Sequence, residues 1–544
     1  MYRTRASLFV LLVAVFAAVG AAGATTGPGT GNASVVAVYP NPVADDDAGE
    51  FVVLTVPPET DLGSLAVGDD EARVSLPNVT AGGRVTLSTH PTVTRELLDR
   101  QVYPLSEDLQ LANAGEHVRL YRGGSVIDGL TYADAPEGNL RVRVGERVND
   151  SDTGGDRQWR PLGATDRGVL TAEGGQVTAF VLPDAPDLAV GALRSADRRI
   201  LLAGYTFTSE RVADALVAAA RRGVTVRVLV DGRPVGGTTA RQARLLDRLA
   251  RAGVGVRVLG GGRARYRYHH AKYAVVDDRA LVTTENWKPA GVGGNSSRGW
   301  GVVTPQPRIV EGLTETFRAD ATWHDARPWA QVREGQSFVE DEPANDSYPS
   351  QFDPARVPVE ETRLLLAPDN AEAEIRAVLR GAGESLVIEQ VTLGGRTQPF
   401  VRETLAAARR GVKVRVLLSG AWYVREDNER LVAWLNDRAD AEGLPLTARV
   451  AEPGSRFEKI HAKGAVVDGE RVVVGSLNWN NNSARKNREV VLVLEGQEVG
   501  EYYQDVFEAD WEGPRPGVPL GLVAVLAVVV LAAFLVARTV EFES

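Results

Sequence analysis

Two short segments of this 544-residue sequence repeat the same three side-chain types at the same spacing. Each holds a histidine, a lysine two positions later and an aspartate five positions after the lysine: His270, Lys272 and Asp277, then His461, Lys463 and Asp468. Side chains two positions apart on a strand project from one face, so each imidazole is expected beside an ammonium group. An imidazole can act as a nucleophile or carry a proton, and a fixed positive charge stabilises negative charge. The pattern therefore predicts attack on an anionic phosphate.

The second motif lies in a predicted strand–turn–strand element. Alternating and apolar residues predict strands over 464–467 and 471–474, and Asp468-Gly469 predicts the tight turn between them. The first motif has a similar element with a turn one residue shorter. Both elements continue into hydroxyl and amide side chains: Thr284 and Asn286 in the first, Ser476 and Asn478 in the second.

The surroundings of the two motifs are duplicated as well. The segment AAARRGVTVRVLV at 218–230 corresponds to AAARRGVKVRVLL at 406–418. Each contains the end of a predicted helix, a glycine that terminates it (Gly223 or Gly411) and an apolar strand. A strand–helix–strand order in both halves predicts a duplicated α/β domain.

The pair of HxKxxxxD segments resembles the HKD motif of the phospholipase D superfamily, and the resemblance covers roughly residues 170–512. It implies two α/β domains related by a pseudo-twofold axis, with both histidines and both lysines around one phosphate within one chain. One imidazole would attack phosphorus and form a phosphohistidine. The other would protonate the leaving alcohol and then activate water or another alcohol. No metal ion or other cofactor is expected, because paired ammonium groups would repel a divalent cation.

The resemblance also assigns supporting residues. The lysines and the nearby hydroxyl and amide groups would bind the phosphate oxygens. Glu489 stands at an acidic position that, in family members, orients an active-site histidine, in some cases that of the opposite half. On this basis Glu489 supports His270, which makes His270 the nucleophile and His461 the acid and base. The first half has Gly299 or Trp300 where a second acidic residue is expected.

The two motif aspartates, Asp277 and Asp468, are expected to stabilise their local turns more than to contact substrate. An alternative interpretation is a metal site at His269, His270 and Asp277. It is disfavoured because the sequence has neither an HExxH pattern nor a cysteine.

The sequence contains far fewer lysines than arginines. Of 61 basic residues, only six are lysines: Lys272, Lys288, Lys413, Lys459, Lys463 and Lys486. Lysine at both motif positions therefore indicates that a compact ammonium group is needed there. The net charge of −10 argues against a general nucleic-acid coat protein. The absence of cysteine excludes disulfides and thiolate sites.

The two ends of the sequence predict an exported protein attached to a membrane. Residues 1–24 have the basic start, apolar run and small-residue end of a signal peptide, with an N-terminal anchor as the alternative. Residues 517–537 form an uncharged apolar run long enough to cross a bilayer, with a buried helix as the alternative. The following Arg538 favours a cytoplasmic end. These features predict a single-pass cell-membrane protein with extracellular catalytic domains.

The remaining segments complete the predicted organisation. Short alternating runs over 31–140 predict an all-β sandwich, and VVAVYPNPVADDDAGEFVVL within it resembles the lamin-tail domain, an immunoglobulin-like module. This domain is expected to serve structure or attachment, with a cell-surface molecule as its partner. The other predicted boundaries are a linker at 141–168, a first phospholipase D-like domain at 169–334, a connector at 335–358 and a second such domain at 359–512.

The sequence leaves three functions open. Membrane attachment and the aromatic pair Trp422-Tyr423 favour a phospholipid phosphodiesterase, acting by hydrolysis or by transfer. The basic stretch with Arg263, Arg265 and Arg267 suits a nucleic-acid backbone, and so an exported metal-independent nuclease. The altered first half is consistent with a catalytically weak surface-binding protein. The phospholipid is the favoured substrate.

Overall fold

The computed structural model of the protein describes residues 32–42, 48–98, 100–106, 108–143, 159–165, 167–260, 265–341, 344–452, 454, 456–513 and 528–529. The predicted signal peptide at 1–24 lies outside these residues, as does nearly all of the predicted spanning segment at 517–537. Within the described part of the chain, no helix is both long and apolar enough to span a membrane.

The N-terminal region forms a six-stranded and a four-stranded β-sheet that share one apolar core. The sheet orders are β10-β9-β1-β2-β5-β6 and β4-β3-β7-β8. The elements are β1 Ser34–Tyr39, β2 Phe51–Asp61, β3 Leu65–Gly68, β4 Arg73–Ser75, β5 Thr80–Ser88, α1 Pro91–Leu98, β6 Val102–Pro104, β7 Gly115–Arg122, β8 Ser125–Ala133, β9 Asn139–Val142 and β10 Trp159–Pro161. Strand β10 lies within the predicted linker and pairs with β9 because its backbone completes the edge of the sheet. The lamin-tail resemblance stays a prediction.

The first motif belongs to a mixed sheet in the order β19-β15-β14-β13-β16-β17-β18-β12-β20. The elements from 170 to 358 are β11 Leu170–Glu173, β12 Gln176–Leu182, α2 Pro186–Arg194, β13 Arg199–Gly204, α3 Glu210–Arg221, β14 Thr225–Asp231, α4 Ala240–Arg251, β15 Gly255–Leu259, β16 Tyr273–Val276, β17 Arg279–Thr283, β18 Ser297–Thr304, α5 Pro307–Thr322, β19 Arg327–Pro328, α6 Trp329–Val332 and β20 Ala355–Pro358. Helix α3 begins where the Ser209 hydroxyl accepts a hydrogen bond from Val212 N, which satisfies a free N–H group of the first turn. Gly223, at φ +91°, leads from this helix toward β14.

The second motif belongs to a sheet in the order β11-β21-β28-β27-β26-β22-β23-β24. The elements from 361 onward are β21 Glu361–Ala367, α7 Ala371–Arg380, β22 Ser385–Gln390, α8 Pro399–Arg409, β23 Lys413–Leu418, α9 Arg425–Glu442, β24 Leu446–Val450, β25 Lys459–Ile460, β26 Lys463–Val467, β27 Arg471–Gly475, α10 Asn481–Arg485, β28 Glu489–Glu495 and α11 Gln497–Glu512. The prediction of a repeated α/β fold is confirmed.

Eight strands follow the same order in the two larger sheets, but each half contributes an edge strand to the other. Strand β11 comes from the start of the predicted first domain and pairs with β21 of the second sheet, whereas β20 comes from the connector before the second domain and pairs with β12 of the first sheet. The sheets therefore do not follow the predicted boundaries at 169 and 335–358. The largest apolar core contains side chains from both sheets together with α5 and α11, so the halves pack as one body.

Candidate active site

Both motif histidines lie at the carboxyl ends of parallel strands. Tyr273 pairs with Ala203 near the end of β13, and Lys463 pairs with Gln390, the last residue of β22. The histidines precede these paired positions by two or three residues, so they lie just beyond the ends of β13 and β22. In open α/β sheets this edge is where binding sites form, because the loops that leave the strands meet there.

Backbone contacts attach each histidine segment to the opposite half. His270 N donates to Arg488 O at 2.9 Å, and His461 N donates to Arg298 O at 2.8 Å. Both arginines are fully buried. Each forms ion pairs with two aspartates behind the site: Asp184 and Asp510 for Arg298, and Asp320 and Asp369 for Arg488. The two histidine segments are thereby held in one site within a single chain.

His270 contacts a carboxylate of the other half. Its Nδ1 lies 3.0 Å from both carboxylate oxygens of Glu489, which also accepts hydrogen bonds from Ser476 Oγ at 2.5 Å and Asn487 Nδ2 at 3.1 Å. Burial lowers the pKa of His270 to about 4, although Glu489 opposes the shift. Burial alone would raise the pKa of Glu489, but the charge and hydrogen bond of His270 outweigh it. Glu489 is therefore a buried carboxylate whose anionic form is stabilised by hydrogen bonds from protein groups, and it lies against one imidazole.

His461 contacts a carboxylate that the sequence analysis did not identify. Its Nδ1 lies 3.2 Å from Glu285 Oε2, and the Glu285 side chain is completely buried. Burial raises the pKa of Glu285 to about 7 against the opposing charge of Lys463. Burial and Lys463 hold the pKa of His461 well below its usual 6.5. The available signal in the sequence was an acidic residue in the segment TTEN, because Glu285 stands at the position where the second segment has Leu477.

The two motif lysines are buried beside the histidines. Lys272 Nζ donates to His270 O at 2.6 Å, and Lys463 Nζ donates to His461 O at 2.7 Å. Burial lowers the pKa of Lys463 to about 7, although the carboxylates of Glu285 and Glu489 oppose the shift. Burial also lowers the pKa of Lys272. An anionic phosphate between these groups would favour their charged forms.

Comparisons with known proteins identify the two halves. Residues 190–321 and 375–511 each match the family model described as "Cardiolipin synthase, PLD-like domain". Both halves are phospholipase D-like domains. A mitochondrial cardiolipin hydrolase from Xenopus laevis is 29% identical over 148 residues, which cover 27% of this chain and 64% of the relative. The chain thus spans less than two thirds of the length of the curated relatives that it matches.

Two solved structures are also similar. Phosphatidylserine synthase from Haemophilus influenzae Rd KW20 has a TM-score of 0.47 and 12% identity, covering 61% of this chain and 84% of that chain. The phospholipase D family member Nuc from Salmonella typhimurium has a TM-score of 0.25 and 26% identity, covering 29% of this chain and 98% of that chain.

In both phospholipase D-like halves, the predicted phosphate-binding hydroxyl groups have backbone partners. Thr284 Oγ1 accepts from Trp300 N at 3.0 Å, and Ser476 Oγ accepts from Val490 N at the same distance. These hydroxyls therefore join neighbouring strands beneath the site. The amide oxygens of Asn286 and Asn478 are buried without a hydrogen-bond partner in the described residues, so these two side chains retain capacity to bind substrate or water.

The structure places Asp277 and Asp468 away from the histidines, at the turns between β16 and β17 and between β26 and β27. Both adopt positive φ, 54° and 55°. Asp277 accepts hydrogen bonds from the backbone N–H groups of 197–199, and Asp468 accepts them from those of 383–385. Each aspartate therefore attaches its turn to the neighbouring backbone segment of the same half. Their inclusion among the catalytic residues is not supported by this geometry.

Replacing Asp468 with asparagine is expected to lower the free energy of unfolding by about 1–3 kcal/mol, because three backbone N–H groups lose a charged acceptor. Burial would raise the pKa of Asp468, but hydrogen bonds from Glu384 N and Ser385 N outweigh it and lower the pKa below 3.8. The stabilisation is therefore complete above pH 3.8 and disappears as the pH falls through the lower folded-state value. Urea unfolding at a series of pH values measures it. Unchanged stability with reduced kcat would contradict this structural role.

Proposed function

We propose that this protein is a phospholipid phosphodiesterase that acts through a phosphohistidine intermediate. The observation that carries the proposal is the position of the exposed apolar side chains of the catalytic halves, which lie at the same edge of the sheets as the paired His–Lys site. The match to the cardiolipin synthase-type domain and the similarity to cardiolipin hydrolases support a lipid substrate. The predicted signal peptide and spanning segment extend the proposal to an exported, membrane-anchored enzyme.

The proposed chemistry divides one displacement into two. His270 Nε2 attacks phosphorus while His461 protonates the leaving alcohol, so that the P–O bond breaks as the P–N bond forms. His461 then removes a proton from water or an alcohol, which attacks phosphorus and releases His270. The buried ammonium groups of Lys272 and Lys463 stabilise charge on the phosphate oxygens throughout. Glu489 holds Nδ1 of His270 and leaves Nε2 as the reactive nitrogen.

Exposed apolar side chains support a lipid surface as the source of the substrate. Among the described residues of 169–512, the exposed large apolar side chains form what we call the apolar rim: Val235, Val339, Trp422 and Tyr423. Trp422 is 80% exposed and Val235 is 75% exposed. Tryptophan and tyrosine are suited to the boundary between bilayer and water, since each ring has an apolar body and a polar atom.

The first part of the apolar rim is linked directly to the site. Val235 N donates to the Tyr205 hydroxyl at 2.6 Å, and the Tyr205 ring lies 4.7 Å from the His270 ring. Val339 N donates to Thr238 O at 3.1 Å, which attaches Val339 to the same loop. A bilayer that contacts this loop would therefore lie close to the nucleophile.

The second part of the apolar rim lies on the corresponding loop of the other half. Trp422 and Tyr423 follow β23, whose last residue, Leu418, pairs with Gln390. Gln390 in turn pairs with Lys463 of the motif. The two rim loops thus leave the sheets at the same edge as the two histidines.

The basic stretch that suggested a nucleic-acid substrate is engaged within the protein. The Arg265 guanidinium lies 4.1 Å from the Trp323 ring, and Arg265 N donates to Asp325. Arg267 lies 3.7 Å from the carboxylate of Glu137 in the N-terminal region. Arg263 lies outside the described residues. The ring contact holds the Arg265 side chain against the protein, and the ion pair offsets the charge of Arg267. Both contacts favour the lipid over the nuclease alternative.

Incubation with phosphatidyl lipids and with single- and double-stranded DNA, in the presence of a chelator, tests the proposal. Wild type is expected to release lipid headgroups, and His270→Ala and His461→Ala are expected to lose this activity. Cleavage of DNA alone would overturn the lipid assignment. Failure to cleave either substrate would favour the surface-binding alternative.

Removing the apolar rim is expected to impair activity on vesicles selectively. The double variant Trp422→Ser, Tyr423→Ser should raise the apparent KM for vesicles by about tenfold, since burial of two aromatic rings is lost. Activity on a monomeric short-chain phospholipid should not change. Val126→Ser is the matched control, because Val126 is 56% exposed on β8, outside the catalytic halves. Equal effects on both substrates would argue against membrane contact at the rim.

A further inference from the structure

We infer that Glu285 is the positioning residue of His461. Glu285 follows β17 of the first half, whereas Glu489, the corresponding carboxylate of the second half, begins β28, the counterpart of β18. The inference rests on the proposed function, since it assigns a role in the same site. It replaces the expectation that the first half lacks an acidic group.

The hydrogen-bond register shows that the two halves are equivalent at this point. Thr284 N donates to Trp300 O, and Trp300 N donates to Thr284 Oγ1. Ser476 N donates to Val490 O, and Val490 N donates to Ser476 Oγ, so the same reciprocal pair recurs in the second half. The hydroxyl residues therefore mark corresponding positions in the two sheets.

At the next cross-strand residue pair, the acidic side chain lies on a different strand in each half. The antiparallel register places Glu285 opposite Gly299 in the first half and Leu477 opposite Glu489 in the second. Each half thus has one carboxylate in this cross-strand pair. Glu285 contacts His461, and Glu489 contacts His270, so each carboxylate serves the histidine of the other half.

The glycine opposite Glu285 is a steric requirement of this arrangement. A Cβ atom at position 299 would lie 2.3 Å from Glu285 Cγ and 2.6 Å from its Oε1. Any side chain at 299 would therefore displace the carboxylate from His461. Gly299 and Glu285 are a matched pair, just as Leu477, which packs in the apolar core of the second half, matches Glu489.

The two carboxylates also differ in their surroundings. Glu489 accepts hydrogen bonds from Ser476 and Asn487 in addition to its contact with His270. Within the described residues, neither oxygen of Glu285 accepts a hydrogen bond; its Oε2 lies 3.2 Å from His461 Nδ1, which also lies 3.2 Å from Lys463 Nζ. Burial raises the pKa of Glu285 to about 7, whereas the pKa of Glu489 lies below 4.5, so of the two carboxylates only Glu285 can be protonated near neutral pH. This suits the acid and base role of His461 better than the nucleophilic role.

Moving the carboxylate across the strand pair tests the inference. Glu285→Ala should lower kcat by about 10–100-fold with little change in KM, because the histidine loses its orienting partner. Gly299→Glu alone should also be impaired, because its Cβ collides with Glu285. The double variant Glu285→Ala, Gly299→Glu should recover most of the lost kcat, since alanine lacks the colliding Cγ. A folded double variant no more active than Glu285→Ala would overturn the inference.

The nearly isosteric variant Glu285→Gln provides a second test that does not depend on repacking or turnover. The chain has only six histidines, so ¹⁵N-histidine spectra can be assigned with His461→Asn. The tautomer and pH titration of His461 should change in Glu285→Gln, whereas the signals of His270 should not. Unchanged His461 signals would refute the role of Glu285. Absence of phosphodiesterase activity in wild type would instead refute the proposed function, so the two failures are distinguishable.

Discussion

Replacing His461 with alanine is expected to leave a single turnover on an activated substrate, whereas replacing His270 should leave none. A p-nitrophenyl phosphodiester has a leaving group that needs no proton, so His270 can still attack phosphorus in His461→Ala. Release from the phosphohistidine requires a base, so steady-state turnover should fall by about 10⁴-fold. In His270→Ala the nucleophile is absent, and both the burst and turnover should disappear.

Stopped-flow absorbance and mass spectrometry of the quenched protein measure these outcomes. His461→Ala should show a burst equal to the enzyme concentration and a phosphoryl adduct on His270. Conservative replacement of the exposed His117 by asparagine is the control, since His117 lies on β7 and contacts Asp70. A burst in His270→Ala, with the adduct on His461, would reverse the assignment of nucleophile and acid.

Replacing Lys463 with arginine is expected to lower kcat by about 10²–10³-fold, although the positive charge is kept. Lys463 is only 1% exposed and donates to His461 O, so the larger guanidinium cannot occupy the same space. Its planar shape also cannot reproduce the point charge that the ammonium presents to a phosphate oxygen. The same result is expected for Lys272→Arg. Steady-state kinetics on a soluble phosphodiester measure both effects.

Lys413 provides the matched control because it is exposed at the start of β23, at the end of the sheet opposite the site. Lys413→Arg should leave kcat and KM unchanged, in keeping with a chain that uses arginine almost everywhere else. If Lys463→Arg were as active as Lys413→Arg, the scarcity of lysine would carry no information about catalysis.

The repeated fold was predictable because its signals are local. A glycine follows each of these helices, Gly223 in the first half and Gly411 in the second, and an apolar strand comes next. Both features are recognised from residues that are neighbours in the sequence. The exchange of β11 and β20 between the sheets was not predictable, because a four-residue strand can pair with any free edge. Which edge is free is determined only when both halves pack together.

The candidate site also has a part that was predictable from the sequence and a part that was not. His270, Lys272, His461 and Lys463 were identified from their repeated types and spacing, which are local properties of the sequence. The expectation that each pair lies on a strand was less accurate, because β16 begins at Tyr273 and β26 begins at Lys463. The contact of Glu489 with His270 was expected from the resemblance, and in the structure His270 Nδ1 lies 3.0 Å from Glu489 Oε1.

The role of Glu285 could be assigned only from the tertiary structure. By position in the sequence it corresponds to Leu477, an apolar core residue, and the expected acidic position holds Gly299. The two positions become equivalent only across an antiparallel strand pair, where the absent Cβ of Gly299 makes space for a carboxylate from the facing strand. The sequence by itself determined the reacting groups, since their types and spacing are local. The partner of each histidine was decided by strand register and by the contact between the halves, because those distances do not exist until the chain is folded.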